Sequence, residues 1–195
     1  RLTRLKTTRI DALSQLIILQ DLNYYYDAVG NITTIRDDAQ DTIYFNNAAV
    51  TPTQKYTYDA LYRLNKSEGR EMFNGKDEVN NNAFTPFSQV FPASNGNALL
   101  GYAQYYDYDA VGNIRKLDHN AGANSYTRFY NYNNGDNRLI STKIGSSGTP
   151  ITYAYDTHGN MTDMPHLHQM QWNALDQLSI VAVTTGTADK TYYQY

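Results

Sequence analysis

Tyr106-Asp107-Tyr108-Asp109-Ala110-Val111-Gly112-Asn113-Ile114 is the stretch that decides the fold. Side chains in a strand repeat every two residues, so Tyr106 and Tyr108 share one face. Asp109 then opens a turn, because a carboxylate there bonds backbone amides two or three residues ahead. Gly112 supplies the positive φ that closes it at little steric cost. Ile114 restarts the apolar pattern and fixes which face of the returning strand points inward. The nine residues read as a β-hairpin.

The same pattern recurs along the chain. Tyr-x-Tyr pairs stand at Tyr24 and Tyr26, Tyr56 and Tyr58, Tyr130 and Tyr132, and Tyr153 and Tyr155, with Trp172 in the tyrosine place of a degenerate copy. The turn positions that follow are Asp27, Gly30 and Asn31; Asp59 and Arg63; Asp109, Gly112 and Asn113; and Asp156, Gly159 and Asn160. Each turn leads to an apolar residue, at Ile32, Leu64, Ile114, Leu139, Met161 and Leu178. Tyr62 and Asp176 replace the glycine, which predicts strain or another turn type there. The stretch from Asn133 to Leu139 is one residue longer than the others.

The copies divide the chain into units near 1–22 (partial), 23–55, 56–105, 106–129, 130–152, 153–169, 170–192 and a partial 193–195. The longest gap, between Asp59 and Asp109, reads as an insertion over 70–100, where Pro86, Pro92 and Asn95-Gly96 break the strand pattern. Both ends cut through a unit, so the chain is expected to be a segment of something longer with its capping elements elsewhere.

Composition agrees with a repetitive sheet. Tyrosine supplies 19 of 195 residues against 6 phenylalanines and 1 tryptophan. A tyrosine buries a ring while keeping its hydroxyl near water or an acceptor, which suits a thin sheet without a deep core. The expected fold is all-β, a chain of antiparallel hairpins. The net charge of -3 is spread without a basic stripe, which excludes an electrostatic nucleic-acid surface. No apolar run is long enough for a membrane helix, and with no cysteine neither a disulfide nor a thiolate metal site is available.

Chemical readings of individual residues give way to structural ones. Asp27, Asp59, Asp109 and Asp156 all occupy one repeated turn position, whereas acid–base catalysis needs two converging carboxyls with split pKa values. His158, His166 and His168 lack a partner at metal-ligand spacing. Asp37, Asp38 and Asp41 do not follow the pattern of a twelve-residue calcium loop. Gly145-Ser146-Ser147-Gly148 precedes a strand-like run, as a hairpin connection does, and lacks the lysine and helix of a phosphate loop. Asn31-Ile32-Thr33, Asn65-Lys66-Ser67 and Asn160-Met161-Thr162 match a glycosylation pattern that the repeat itself generates. No catalytic residue, cofactor or metal is expected.

These units resemble the Rhs/YD-repeat family, whose repeats centre on tyrosine-aspartate, a short spacer, glycine with arginine or asparagine, and leucine or isoleucine. The resemblance covers nearly the whole chain. Leu19-Gln20-Asp21-Leu22, Tyr56 to Leu64, and the Met164-Pro165-His166-Leu167 and Met170-Gln171-Trp172 segment are similar to the branch holding the B and C components of bacterial insecticidal toxin complexes. That resemblance implies a strip of a spiralling hollow β-shell that encloses a C-terminal toxin cargo until delivery. It further implies secretion as part of a toxin complex, the rest of the shell and a toxin-translocation component as partners, and no enzymatic activity in this segment. The competing reading is an extracellular adhesion or carbohydrate-binding module, since YD repeats also occur in cell-surface proteins.

Overall fold

The computed structural model describes residues 1–73, 97–164, 167–183 and 190–195. Most of the expected insertion over 70–100, and His166, therefore lie outside the described residues. Strands dominate, and every strand pair with an assigned register is antiparallel. The chain divides into two compact units.

The first unit, within 1–73, 97–107 and 117–125, is built on the strands β1 (Arg4–Ile10), β2 (Leu16–Tyr26) and β3 (Ile32–Asp37). They are followed by β4 (Ile43–Phe45), β5 (Ala48–Val50), β6 (Thr53–Tyr58), β7 (Leu64–Met72), β8 (Leu99–Tyr108) and β9 (Ile114–Asn120). Hydrogen-bonded neighbours follow the order β1-β2-β3-β6-β7-β8-β9. Strands β4 and β5 leave the row as a small hairpin of their own, so β3 pairs directly with β6. The turn of that hairpin is Asn46-Asn47, with φ of 50° and 59°, the two successive left-handed residues of a type I′ turn. It is held by the Phe45 and Phe73 rings, whose centroids lie 5.4 Å apart.

The second unit holds the turn after β8 and the strands from β10 onward. Strands β10 (Tyr126–Tyr132), β11 (Leu139–Ile144) and β12 (Ile151–Thr152) form one ladder. Two smaller sheets follow, β13 (Ala154–Tyr155) with β14 (Met161–Asp163), and β15 (Gln169–Trp172), β16 (Leu178–Ala182) and β17 (Lys190–Tyr192). Gly145 to Gly148 lies between the paired strands β11 and β12, with Gly145 at φ 69°.

Alternation along the strands explains the lack of a deep core. Tyr24 and Tyr26 are half-buried while Tyr25 between them is exposed, and Tyr56 with Tyr58, Tyr106 with Tyr108, and Tyr130 with Tyr132 flank exposed Thr57, Asp107 and Asn131 in the same way. Among the described residues the buried apolar side chains are small, Val50, Ala121 and Ala182. Each ring gives up only part of its surface, so cohesion comes from many half-covered aromatic and aliphatic side chains and from ladder hydrogen bonds.

Candidate functional site: the repeat turn and its tyrosine latch

The turns repeat atom for atom. Oδ1 of Asp27 accepts hydrogen bonds from the amides of Val29, Gly30 and Asn31 at 3.1, 2.7 and 2.8 Å. Its Oδ2 accepts Nδ2 of Asn31 at 2.9 Å, and the Asp27 amide donates to the Asn31 carbonyl. Asp109 repeats the set with Val111, Gly112 and Asn113. Asp156 repeats it with His158 and Asn160. At Asp59 the guanidinium of Arg63 takes the asparagine's place, with Nε 2.7 Å from Oδ2. Asn173 is the amide version, accepting from Leu175 and Gln177 and donating Nδ2 to the Gln177 side chain.

Electrostatics follow from this saturation of the carboxylate. Desolvation pushes Asp27, Asp109 and Asp156 up, but the side-chain bond from the asparagine and the backbone amides outweigh it and leave all three below the ordinary carboxylate range. Asp59 is also lowered, chiefly by the Arg63 amide and, against the opposing desolvation, by the Arg63 side chain. A carboxylate whose oxygens are occupied by amides is a turn-forming group, poorly placed to exchange protons with a substrate.

The glycine position is left-handed in every copy. Gly30, Gly112 and Gly159 have φ of 111°, 101° and 96°, whereas Tyr62 and Asp176 reach 61° and 57°. Tyrosine and aspartate therefore carry the steric strain of a left-handed residue, of order 1–2 kcal/mol. In the longer turn from Asn133 to Arg138, Asn137 takes the left-handed place at φ 57°, and the Asn133 amide closes the loop on the Arg138 carbonyl.

One copy escaped the sequence pattern. Asp11 Oδ1 accepts the amides of Leu13 and Gln15, its own amide donates to the Gln15 carbonyl, and Ser14 is left-handed at φ 62°. No Tyr-x-Tyr precedes it, which hid it. The signal was nonetheless in the chain, since Asp11-Ala12-Leu13-Ser14-Gln15-Leu16 parallels Asn173-Ala174-Leu175-Asp176-Gln177-Leu178.

Just past five of the turns the returning strand carries one extra residue. Tyr25 pairs with Thr34 but Tyr26 with Ile32, leaving Thr33 as a bulge. The same slip leaves out Asn65, Ile140, Thr162 and Ser179. Such bulges raise the local twist. The Ser179 hydroxyl stabilises its bulge by donating to the Gln171 carbonyl at 3.0 Å.

The second aromatic residue of a pair does more than fill space. The Tyr58 hydroxyl donates to the carbonyl of Ile32 at 2.8 Å, the apolar residue that follows the preceding turn. Tyr26 reaches Leu2, Tyr155 reaches Leu139 at 2.9 Å, and Tyr195 reaches Leu178. Trp172 makes the same bond with its indole Nε1, to Met161 at 2.8 Å. Each bond ties one hairpin to the one before it. The first residues of the pairs differ: Tyr56 donates to Gln54, Tyr106 accepts from Gln104, and Tyr153 meets Thr142. Tyr24 and Tyr108 are half-buried on the same strand face as Tyr26 and Tyr106.

Some turns are also bridged to the next. Asp176 Oδ1 accepts from Asn160 Nδ2 and lies 2.8 Å from His158 Nδ1, so His158 joins two successive turns. That bond and the charge of Asp176 hold His158 above its ordinary value. A further polar cluster sits inside the first unit, where His119 is buried between Glu71, 2.8 Å from Nε2, and the Gln104 side chain. Asn124, also buried, donates to Glu71 and to the Met72 carbonyl. No group of three or more metal-ligating side chains occurs among the described residues.

The described chain is thus a series of antiparallel hairpins, several closed by an Asx-type turn and several latched to the one before. No family model matches the chain. Toxin subunit YenC1 of Yersinia entomophaga is 31% identical over 201 residues, an alignment that covers all of this chain and 20% of that protein. Toxin subunit YenC2 of the same organism is 29% identical over 183 residues, covering 91% of the chain and 19% of that protein. The crystal structure of TcdB2-TccC3 superposes with a TM-score of 0.70 at 32% identity, covering all of this chain and 9% of the other. A Photorhabdus luminescens Tc holotoxin pore does so with a TM-score of 0.64 at 28% identity, covering 99% of this chain and 10% of the other. The chain belongs to the Rhs/YD-repeat family of the Tc toxins. It spans about a fifth of the length of the toxin subunits it matches.

Proposed function

We propose that the chain is a wall segment of an Rhs-type shell that encloses a toxin before delivery, and that it performs no chemistry itself. The observation that carries this reading is the latch: a Tyr or Trp donor in one hairpin bonds the post-turn carbonyl of the hairpin before it. A wall needs such a rule, because it must extend by adding like units and cannot rely on a deep core. The repeat turns at Asp27, Asp59, Asp109 and Asp156 set where each unit reverses, and the half-buried tyrosine pairs supply the stacking face. Saturation of those carboxylates by amides supports a structural role for them. The units starting near 23, 56, 106, 130, 153 and 170 are the increments of the wall. Its partners are the rest of the shell, an enclosed C-terminal cargo and a translocation component, in a secreted bacterial toxin complex.

The test is limited proteolysis of the full-length parent protein, with its C-terminal region followed by mass spectrometry and the particle imaged by cryo-electron microscopy. The C-terminal region is expected to survive protease while the shell is intact and to be degraded once the shell is unfolded. Equal degradation in both states, or an array without an internal cavity, overturns the proposal.

A further inference from the structure

At Tyr132 the latch bond is missing among the described residues, and a polar hollow lies there. Tyr132 occupies the latch position of its unit, yet its hydroxyl makes no hydrogen bond to a described residue, unlike those of Tyr26, Tyr58 and Tyr155. Beside it the turn from Asn133 to Arg138 is one residue longer than its counterparts. Between this turn and the Asp109 turn, within the second unit, is an open hollow of about 460 Å³. That volume falls in the ~300–1,000 Å³ range of small-ligand sites.

Its lining residues include Tyr130 and Tyr132, Asn133 and Asn134, Arg115, and Asp109 at the start of its turn. Arg115 is exposed and has no ion pair among the described residues, and the Tyr130 hydroxyl has no hydrogen-bond partner among them. Burial raises the Tyr132 hydroxyl, helped by Tyr130 and Asp109, so it stays a neutral donor and acceptor at physiological pH.

These groups select a ligand by chemistry. An apolar molecule would strand the amides and the guanidinium, and an anion would meet Asp109 next to the single cation. A pyranose satisfies the whole set: its C–H face stacks on a tyrosine ring, and its vicinal hydroxyls donate to and accept from carboxamides, phenols and a guanidinium. We infer that the hollow between the Asp109 and Asn133 turns is a binding site for a neutral saccharide. Arg115 and the hydroxyls of Tyr130 and Tyr132 make none of the hairpin-to-hairpin bonds described above, while the Tyr130 and Tyr132 rings keep their place on the stacking face.

Saturation-transfer-difference NMR suits a large protein and is run on the full-length parent with lactose, maltose and N,N′-diacetylchitobiose, and with sialyllactose as an acidic comparison. At least one neutral sugar is expected to bind saturably in the millimolar range. Arg115→Ala is expected to weaken it about tenfold, the loss of a charge-assisted hydrogen bond. Tyr130→Phe keeps the ring and is expected to weaken binding less than Tyr130→Ala, with the melting temperature of each variant confirming its fold. No saturable binding of any neutral sugar overturns the proposal, as do binding of sialyllactose alone and binding that Arg115→Ala leaves unchanged.

Discussion

At the scale of the residue, the choice of tyrosine over phenylalanine at Tyr26, Tyr58 and Tyr155 is an energetic one. Both rings bury similar apolar area, but only tyrosine reaches the carbonyl of the preceding hairpin, as Tyr58 does at Ile32. A net intramolecular hydrogen bond is worth about 1 kcal/mol, and an orphaned half-buried carbonyl adds to the loss. Tyr58→Phe is therefore expected to destabilise the protein by about 1 kcal/mol, seen as a lower urea midpoint with an unchanged slope. Thr57→Ala, at the exposed position between the pair, serves as the control and should shift the midpoint little. An equal effect of the two substitutions would remove the latch from the account. Trp172 shows that the requirement is a donor at the end of a large ring, since its indole N–H makes the same contact.

At the scale of the element, the turn is a carboxylate motif and carries a pH signature. Asp27, Asp59, Asp109 and Asp156 are lowered in the folded state, so their contribution is complete above the ordinary carboxylate pKa. It is lost as pH falls through the lowered folded values. His158 has the opposite sign: its raised value contributes below the ordinary histidine pKa, and that contribution disappears as pH rises through the folded value. Urea midpoints taken between about pH 2.5 and pH 8 should form a plateau with a steep acid limb and a shallow alkaline one. Asp176→Asn should flatten the alkaline limb, because Asp176 is the group that raises His158. An acid limb that does not weaken in an Asp109→Asn, Asp156→Asn double variant would contradict the turn assignment.

At the scale of the whole molecule, the row of strands in the first unit begins at β1, in which every residue is exposed. Its outer backbone groups have no strand partner among the described residues, and Leu5 and Ile10 on it and Leu13 and Leu16 in and after its turn are exposed. Such an edge templates pairing with another chain. The 195-residue chain produced alone is expected to self-associate with rising concentration, measured by size-exclusion chromatography with light scattering. Leu5→Lys with Ile10→Lys should shift it toward monomer, as edge lysines do in natural sheets. Self-association indifferent to both substitutions would place the contact elsewhere.

The amino-acid sequence by itself determined the hairpins: the two-residue period of Tyr24 and Tyr26 or Tyr106 and Tyr108, the acid that starts each turn and the glycine that closes it are local physics, written in adjacent residues. The all-β class followed from their recurrence. The Asp11 turn was equally local but lacked its tyrosine pair, and the Asn46-Asn47 hairpin was a short signal inside a longer connection. Only the tertiary structure decided what joins one hairpin to the next. The carbonyls of Ile32 and Leu139 accept from Tyr58 and Tyr155, 26 and 16 residues away, and a backbone acceptor leaves no mark in side-chain identity. The same holds for the opening at Tyr132, where one extra turn residue was legible but the unbonded hydroxyl and the hollow beside it depend on how neighbouring strands pack.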